Sequence, residues 1–196
     1  MSLALIGDIH GFRAHHYNTA KVHDQTIQLG DCGGFDGVTY SYLDKLDPEN
    51  HKVLGGNHDN YDDIINYPHY LGDYGIWNDI FFIRGAYSVD KASRLIGKTW
   101  WEQEEIPYSK FDEICKAFEN ARPKVVISHD CPLRINYYLY GGGAMCSRTV
   151  QLLDYCFELY QPEEWYFGHH HRTWEHKIMS TNFRCLDIDE VLVIRK

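Results

Sequence analysis

Leu3-Ala4-Leu5-Ile6-Gly7-Asp8-Ile9-His10-Gly11 sets the pattern that decides the fold: an apolar run meets Gly, and ion-binding side chains follow at once. The pattern returns along the chain. Thr26–Leu29 ends in Gly30-Asp31, Val53-Leu54 in Gly55-Gly56-Asn57-His58-Asp59, Val125–Ile127 in Ser128-His129-Asp130, and Trp165–Phe167 in Gly168-His169-His170-His171. Short runs that are apolar throughout suit strands buried on both faces. The segments between them read as helices at Tyr40–Leu46, Asn60–Asn66, Lys110–Asn120 and Ser147–Tyr160. Ser109, with Asp112 three residues on, and Ser147 are the expected N-caps. Pro162 stops the last helix. Strands alternating with helices predict an α/β fold. Later runs at Ile80–Val89, Glu175–Met179, Phe183–Ile188 and Val191–Ile194 predict strands joined by short turns, hence mixed sheets. Gly141-Gly142-Gly143 predicts an exposed loop.

The chain has 196 residues, which predicts one domain spanning 1–196 with a full core. No apolar run approaches the roughly 20 residues that span a bilayer. The first residues lack the basic region of a signal peptide. Six Cys without paired short spacings fit reduced thiols, so the expected location is cytoplasmic. A formal net charge of −9 argues against an extended nucleic-acid surface. A small anionic substrate is compatible with that charge if bound cations supply the positive field.

All of these polar stretches fall just past the carboxyl ends of predicted strands, where α/β sheets form their ligand sites. One edge should therefore collect Asp8, His10, Asp31, Asn57, His58, His129, His169 and His171. Carboxylate, amide oxygen and imidazole together suit Mn, Fe, Zn, Co or Ni better than Ca. Asp31, from the second strand, is the natural bridge between two ions. Cations about 3.5–4 Å apart can polarise a phosphoryl group and generate hydroxide near neutral pH.

The order Asp-x-His, Gly-Asp, Gly-Asn-His-Asp, a His after a strand, then Gly-His-x-His resembles the calcineurin-like metallophosphoesterase superfamily, over residues 7 to 171. The resemblance implies a four-layer αββα sandwich of two mixed sheets flanked by helices. It implies one metal on Asp8, His10 and His171, a second on Asn57, His129 and His169, and Asp31 between them. It further implies a metal-bound hydroxide as nucleophile, with His58 giving a hydrogen bond or proton at the scissile phosphate. The expected function is thus hydrolysis of a small phosphomonoester or phosphodiester, with a protein Ser/Thr phosphatase or a non-catalytic interaction module as alternatives.

The protein-phosphatase branch is similar to Gly-Asp-x-x-Asp-Arg-Gly at the second stretch, where this chain has Gly34 and Phe35 for the second Asp and the Arg. The third stretch ends in Asp59 rather than Glu. The phosphodiesterase, nucleotidase and nuclease branches fit better. Asp36, Asp59 and Asp62 are the candidates to orient His58 in place of the missing Asp. Arg13 and Arg84 are the candidates for substrate phosphate, against a salt-bridge role for either. His170 should point away from the metals, toward solvent or a supporting partner. Asp59 and Asp130 read equally as orienting groups or helix caps. His15, His16, His23, His51, His69 and His176 have no motif context and read as surface residues. Tyr137–Met145, aromatic and containing three Gly, reads as a mobile wall beside the site.

Overall fold

Alternation along the strands divides the apolar side chains among three cores, and this division makes the layers. The computed structural model describes residues 2–33, 40–143 and 145–195. Strands β1 (Ser2–Ile6), β2 (Gln25–Gln28) and β3 (His51–Val53) run parallel, with β10 (Val191–Arg195) antiparallel to β1. The second sheet has the order β4 (Tyr74–Trp77), β5 (Ile80–Ile83), β6 (Val125–Ser128), β7 (Glu164–Phe167), β9 (Thr181–Cys185), β8 (Trp174–Ile178). Its inner strands β5, β6, β7 and β9 are parallel, and its edges β4 and β8 are antiparallel.

Leu3, Leu5 and Ile27 of the first sheet meet Ile80, Phe82 and Ile127 of the second in one core between the sheets. Phe81, Ile83 and Val126 turn the other way, onto α3 (Phe111–Ala121), α4 (Leu133–Tyr140) and α5 (Arg148–Leu159). Ile6 and Val53 pack outward against Ala20 of α1 (Arg13–Ala20) and Ile64 of α2 (Tyr61–Ile64). A strand period of two therefore gives each sheet two buried faces, and the expected αββα sandwich results. Among the described residues no helix is long and apolar enough to cross a membrane.

Several elements differ from expectation. The predicted strand Ile80–Val89 stops at Ile83, because Gly85 leaves the sheet at φ +94° and donates its N–H to Gly55 O. Tyr40–Leu46 forms only a 3-10 turn at Ser41–Lys45. Helix α2 is a single turn, capped by Asn60 Oδ1, which accepts from Asp62 N–H. Ser147 does cap α5, accepting from Val150 N–H, but Ser109 caps nothing and α3 starts at Phe111. Helix α1 lacks both an apolar stripe and a side-chain cap, so no sequence signal marks it. Helix α4 takes up much of the expected Tyr137–Met145 wall and ends at Gly141 in the left-handed conformation, φ +64°.

Candidate functional site

The loops after β1, β2, β3, β6 and β7 are tied to one another by backbone. His10 N–H donates to Asp31 O (2.9 Å), and His58 N–H to Asp31 Oδ1 (2.8 Å). Gly168 N–H donates to His129 O (3.0 Å), while Asp8 accepts from His169 N–H. His10, Asp31, His169 and His171 all have positive φ, between 41° and 63°. Left-handed backbone is costly for a side chain bearing Cβ, and such strain gathers where function over-determines it.

Every expected ligand comes to this place. Donor atoms of Asp8, His10, Asp31 and His171 lie within 4.8 Å of one another, and so do those of Asp31, His129 and His169. Asp31 is common to both groups. His10 Nε2 and His171 Nε2 face each other at 2.8 Å, with Asp8 Oδ2 3.2 Å from the latter. His129 Nδ1–H donates to Leu29 O (2.8 Å), which fixes the ring. Its Nε2 then faces Asp31 Oδ1 at 3.3 Å and Asn57 Oδ1 at 3.2 Å. Asn57 is itself held: its amide donates to Ser88 Oγ (3.2 Å), and Ser88 donates to buried Glu104. Asp31 Oδ2 is buried and has no hydrogen-bond partner among the described residues. Converging lone pairs with one oxygen unpaired fit a divalent cation better than they fit each other.

The electrostatics agree. Burial works against a charge on His129, but Asp31 prevails and pushes the imidazole up to about 10. Burial would raise the Asp31 carboxyl, but His129 outweighs it and holds the group well below the usual carboxylate range. Burial pushes His169 down to about 4. It pushes His58 to about 4 as well, with Asp31 opposing and the Arg94 cation adding to the effect.

Other expectations divide. Arg84 is not a phosphate group's partner. It is buried, donates Nε–H to Asp73 Oδ1 (2.6 Å) and stacks over the Tyr61 ring. The strand ends at Ile83, six residues earlier than expected, and Arg84 just past it turns inward. Arg13 opens α1, half-buried and close enough to Cys32 to bias its thiol, and lines neither cavity at the cluster. Arg94 was missed. Its guanidinium donates to His58 Nε2 (2.9 Å) and Asn57 O (3.1 Å) and pairs with Asp90 (2.7 Å). It sits in an irregular loop, and no motif marks it.

Neither Asp59 nor Asp62 is the group on the His58 Nε2 atom; Asp36 lies outside the described residues. Asp62 accepts from Trp101 Nε1–H (3.0 Å). Asp59 organises loops instead, accepting from the N–H groups of Asp31, Gly33 and Gly56 and from Tyr40 OH. His170 takes the supporting role. Its Nε2–H donates to Asp130 Oδ1 (3.1 Å), so its Nδ1 accepts from Tyr140 OH (3.0 Å). Asp130 Oδ2 lies 4.0 Å from His169 Nε2, so Asp130 is an orienting group and α4 has no side-chain cap. His16 and His69 are buried, not at the surface: His16 Nδ1 bonds Tyr42 OH (2.7 Å) and His69 Nε2 bonds Leu46 O (3.2 Å).

A family model described as calcineurin-like phosphoesterase matches residues 1–173. No curated protein matches the chain. Similar solved structures include TT1561 of Thermus thermophilus, 9% identical, with a TM-score of 0.59 over 98% of this chain and 97% of that one. GAP50, the anchor in the inner membrane complex of Plasmodium, is 11% identical, with a TM-score of 0.52 over 95% of this chain and 71% of that one. A hypothetical protein from Thermus thermophilus is 14% identical, with a TM-score of 0.51 over 94% of this chain and 75% of that one. At these identities the likeness is one of fold.

Proposed function

The chain belongs to the calcineurin-like phosphoesterase family, and from that premise we propose that it is a metal-dependent hydrolase of small phosphate esters. The observation that carries this reading is the pair of convergent donor groups sharing Asp31. In it, Asp8, His10 and His171 would hold one divalent ion and Asn57, His129 and His169 the other, with Asp31 belonging to both donor groups. Two such ions would supply the field that polarises a phosphoryl group and the acidity that makes water a nucleophile near neutral pH.

The chain's own residues do the rest. Arginine only donates, so the His58 Nε2 that faces Arg94 carries a lone pair in the resting site. An incoming phosphoester offers Arg94 a stronger acceptor. Its move to a phosphate oxygen frees the Nε2 lone pair to take up a proton from solvent, which His58 then gives to the leaving oxygen. Glu104, Ser88 and Asn57 form a buried chain that keeps the Asn57 amide oxygen aimed inward. The intact donor set speaks against a non-catalytic module on this fold.

The test is turnover of p-nitrophenyl phosphate and its bis ester by purified protein with Mn²⁺ and other divalent ions. Turnover with none of them would overturn the reading. His58→Ala should lower the rate by roughly 10²–10⁴-fold while metal content stays near normal. Asp31→Ala should lose metal and rate together.

A further inference from the structure

A second cavity opens directly beside the cluster. It has a volume of about 310 Å³, and Tyr87, Val89, Asp130, Asn136, Tyr140 and Met145 are among the residues that line it. It adjoins the cavity over Asp31, Asn57 and His58, and the two share Val89, Tyr140, His169 and His170. A molecule bound at the cluster would therefore have this cavity as its immediate neighbour. At the small end for a ligand site, it suits one ring system better than a long chain.

Its chemistry is mixed in a specific way. Two tyrosine rings form part of the wall, and each is held by a cation. Lys91 Nζ lies 4.5 Å from the Tyr87 ring centroid, and the Arg172 guanidinium 5.1 Å from that of Tyr140. Tyr140 is further pinned through its hydroxyl on His170. The Asn136 side chain lines the same cavity. Asn136 is 5% exposed, yet its side chain has no hydrogen-bond partner among the described residues. Its amide atoms are not among the fully buried unpartnered ones, so they open onto the cavity and are free to pair with a ligand that enters it. An amide offers one donor and one acceptor side by side. The complementary edge is that of a heteroaromatic base, and fixed tyrosine rings are stacking surfaces for such a base.

We propose that this cavity takes the base of a nucleoside phosphate ester, with Asn136 pairing to its edge, while the phosphate lies on the Asp/His cluster. The proposal rests on the phosphoesterase reading for its phosphate end and on the cavity alone for its base end.

The experiment compares adenosine 5′-monophosphate with ribose 5-phosphate, which lacks only the base, using wild type and Asn136→Ala with Mn²⁺. In parallel, calorimetry measures the binding of adenosine itself, which has no phosphate. Wild type should favour the nucleotide in kcat/KM by at least about tenfold, and Asn136→Ala should reduce that ratio to near unity. Adenosine binding should weaken by a similar factor in the variant. Equal kcat/KM for the two esters in wild type, or an unchanged ratio in Asn136→Ala, overturns the base site and leaves the hydrolase standing. If neither ester turns over, the hydrolase reading fails, and adenosine binding then decides the cavity. Adenosine that does not bind, or binds wild type and Asn136→Ala alike, overturns the proposal on that arm.

Discussion

Asp59→Asn removes a single charge from a carboxylate that touches no predicted metal-binding atom, and it should still disable the site. Oδ1 accepts from Gly33 N–H (2.7 Å) and Tyr40 OH (2.9 Å); Oδ2 accepts from Asp31 N–H (3.0 Å) and Gly56 N–H (2.8 Å). An amide can keep only one of these edges as acceptor. Turning its NH₂ toward Asp31 and Gly56 opposes two backbone donors. Turning it toward Gly33 and Tyr40 opposes one, since the hydroxyl can rotate to accept. The cheaper orientation still strands Gly33 N–H, at roughly 1–3 kcal/mol. The two bonds kept by Oδ lose their ionic character, at about 1 kcal/mol each. The total is roughly 3–5 kcal/mol, a large part of the stability of an ordinary domain. Because the bonds run to the backbones of Asp31 and Gly56, Mn²⁺ affinity should fall with stability. Urea unfolding and Mn²⁺ calorimetry on wild type and variant measure both. Asp62→Asn is the control: its carbonyl can still accept from Trp101, so it should cost under about 1 kcal/mol. An Asp59→Asn protein with the wild-type urea midpoint and Mn²⁺ affinity would refute the reasoning.

Three further outcomes can be checked. In Gly56→Ala the new Cβ would collide with Asp31 Oδ1 and stand 2.7 Å from His129 Nε2. Overpacking of about 1–3 kcal/mol should appear as a lower urea midpoint, together with weaker Mn²⁺ binding by calorimetry. Arg94→Ala removes a charge-assisted donor worth about 1.5–3 kcal/mol, so kcat/KM for p-nitrophenyl phosphate should fall about 10–100-fold at unchanged metal content. His16 is buried, and burial holds its pKa at about 3 against 6.5 when free. The unfolded chain therefore takes the proton first. Its contribution is complete above 6.5 and is lost as pH falls toward 3, about 2 kcal/mol of it by pH 5. Urea midpoints at pH 7 and pH 5 should differ less in His16→Gln than in wild type.

The chemistry of the site was legible because it resides in short stretches. Asp8, His10, Asp31, Asn57, His129, His169 and His171 each follow an apolar run or a Gly turn, and a strand buried on both faces delivers its next residues to the sheet edge. The supporting groups were not legible. Arg94, Ser88 and Glu104 lie in the stretch between β5 and α3, which has only short 3-10 turns and no period to read. Arg84 was the plausible arginine of that stretch by position. Asp73, eleven residues away, and the Tyr61 ring bind it instead, and neither contact leaves a local trace. His16 looked like surface because α1 is polar; only its packing beside Tyr42 buries it.

By itself, then, the sequence determined which atoms can bind an ion and the order in which the chain presents them. Apolar strand runs alternating with helical segments also determined an α/β fold with mixed sheets. The tertiary structure alone decided what stands behind each of these atoms: Leu29 O behind His129, Ser88 behind Asn57, Arg94 beside His58, Asp130 behind His170. Residue type and spacing act over one strand and its turn. These pairs join residues 31 to 100 positions apart, and their geometry exists only once the sheets have packed.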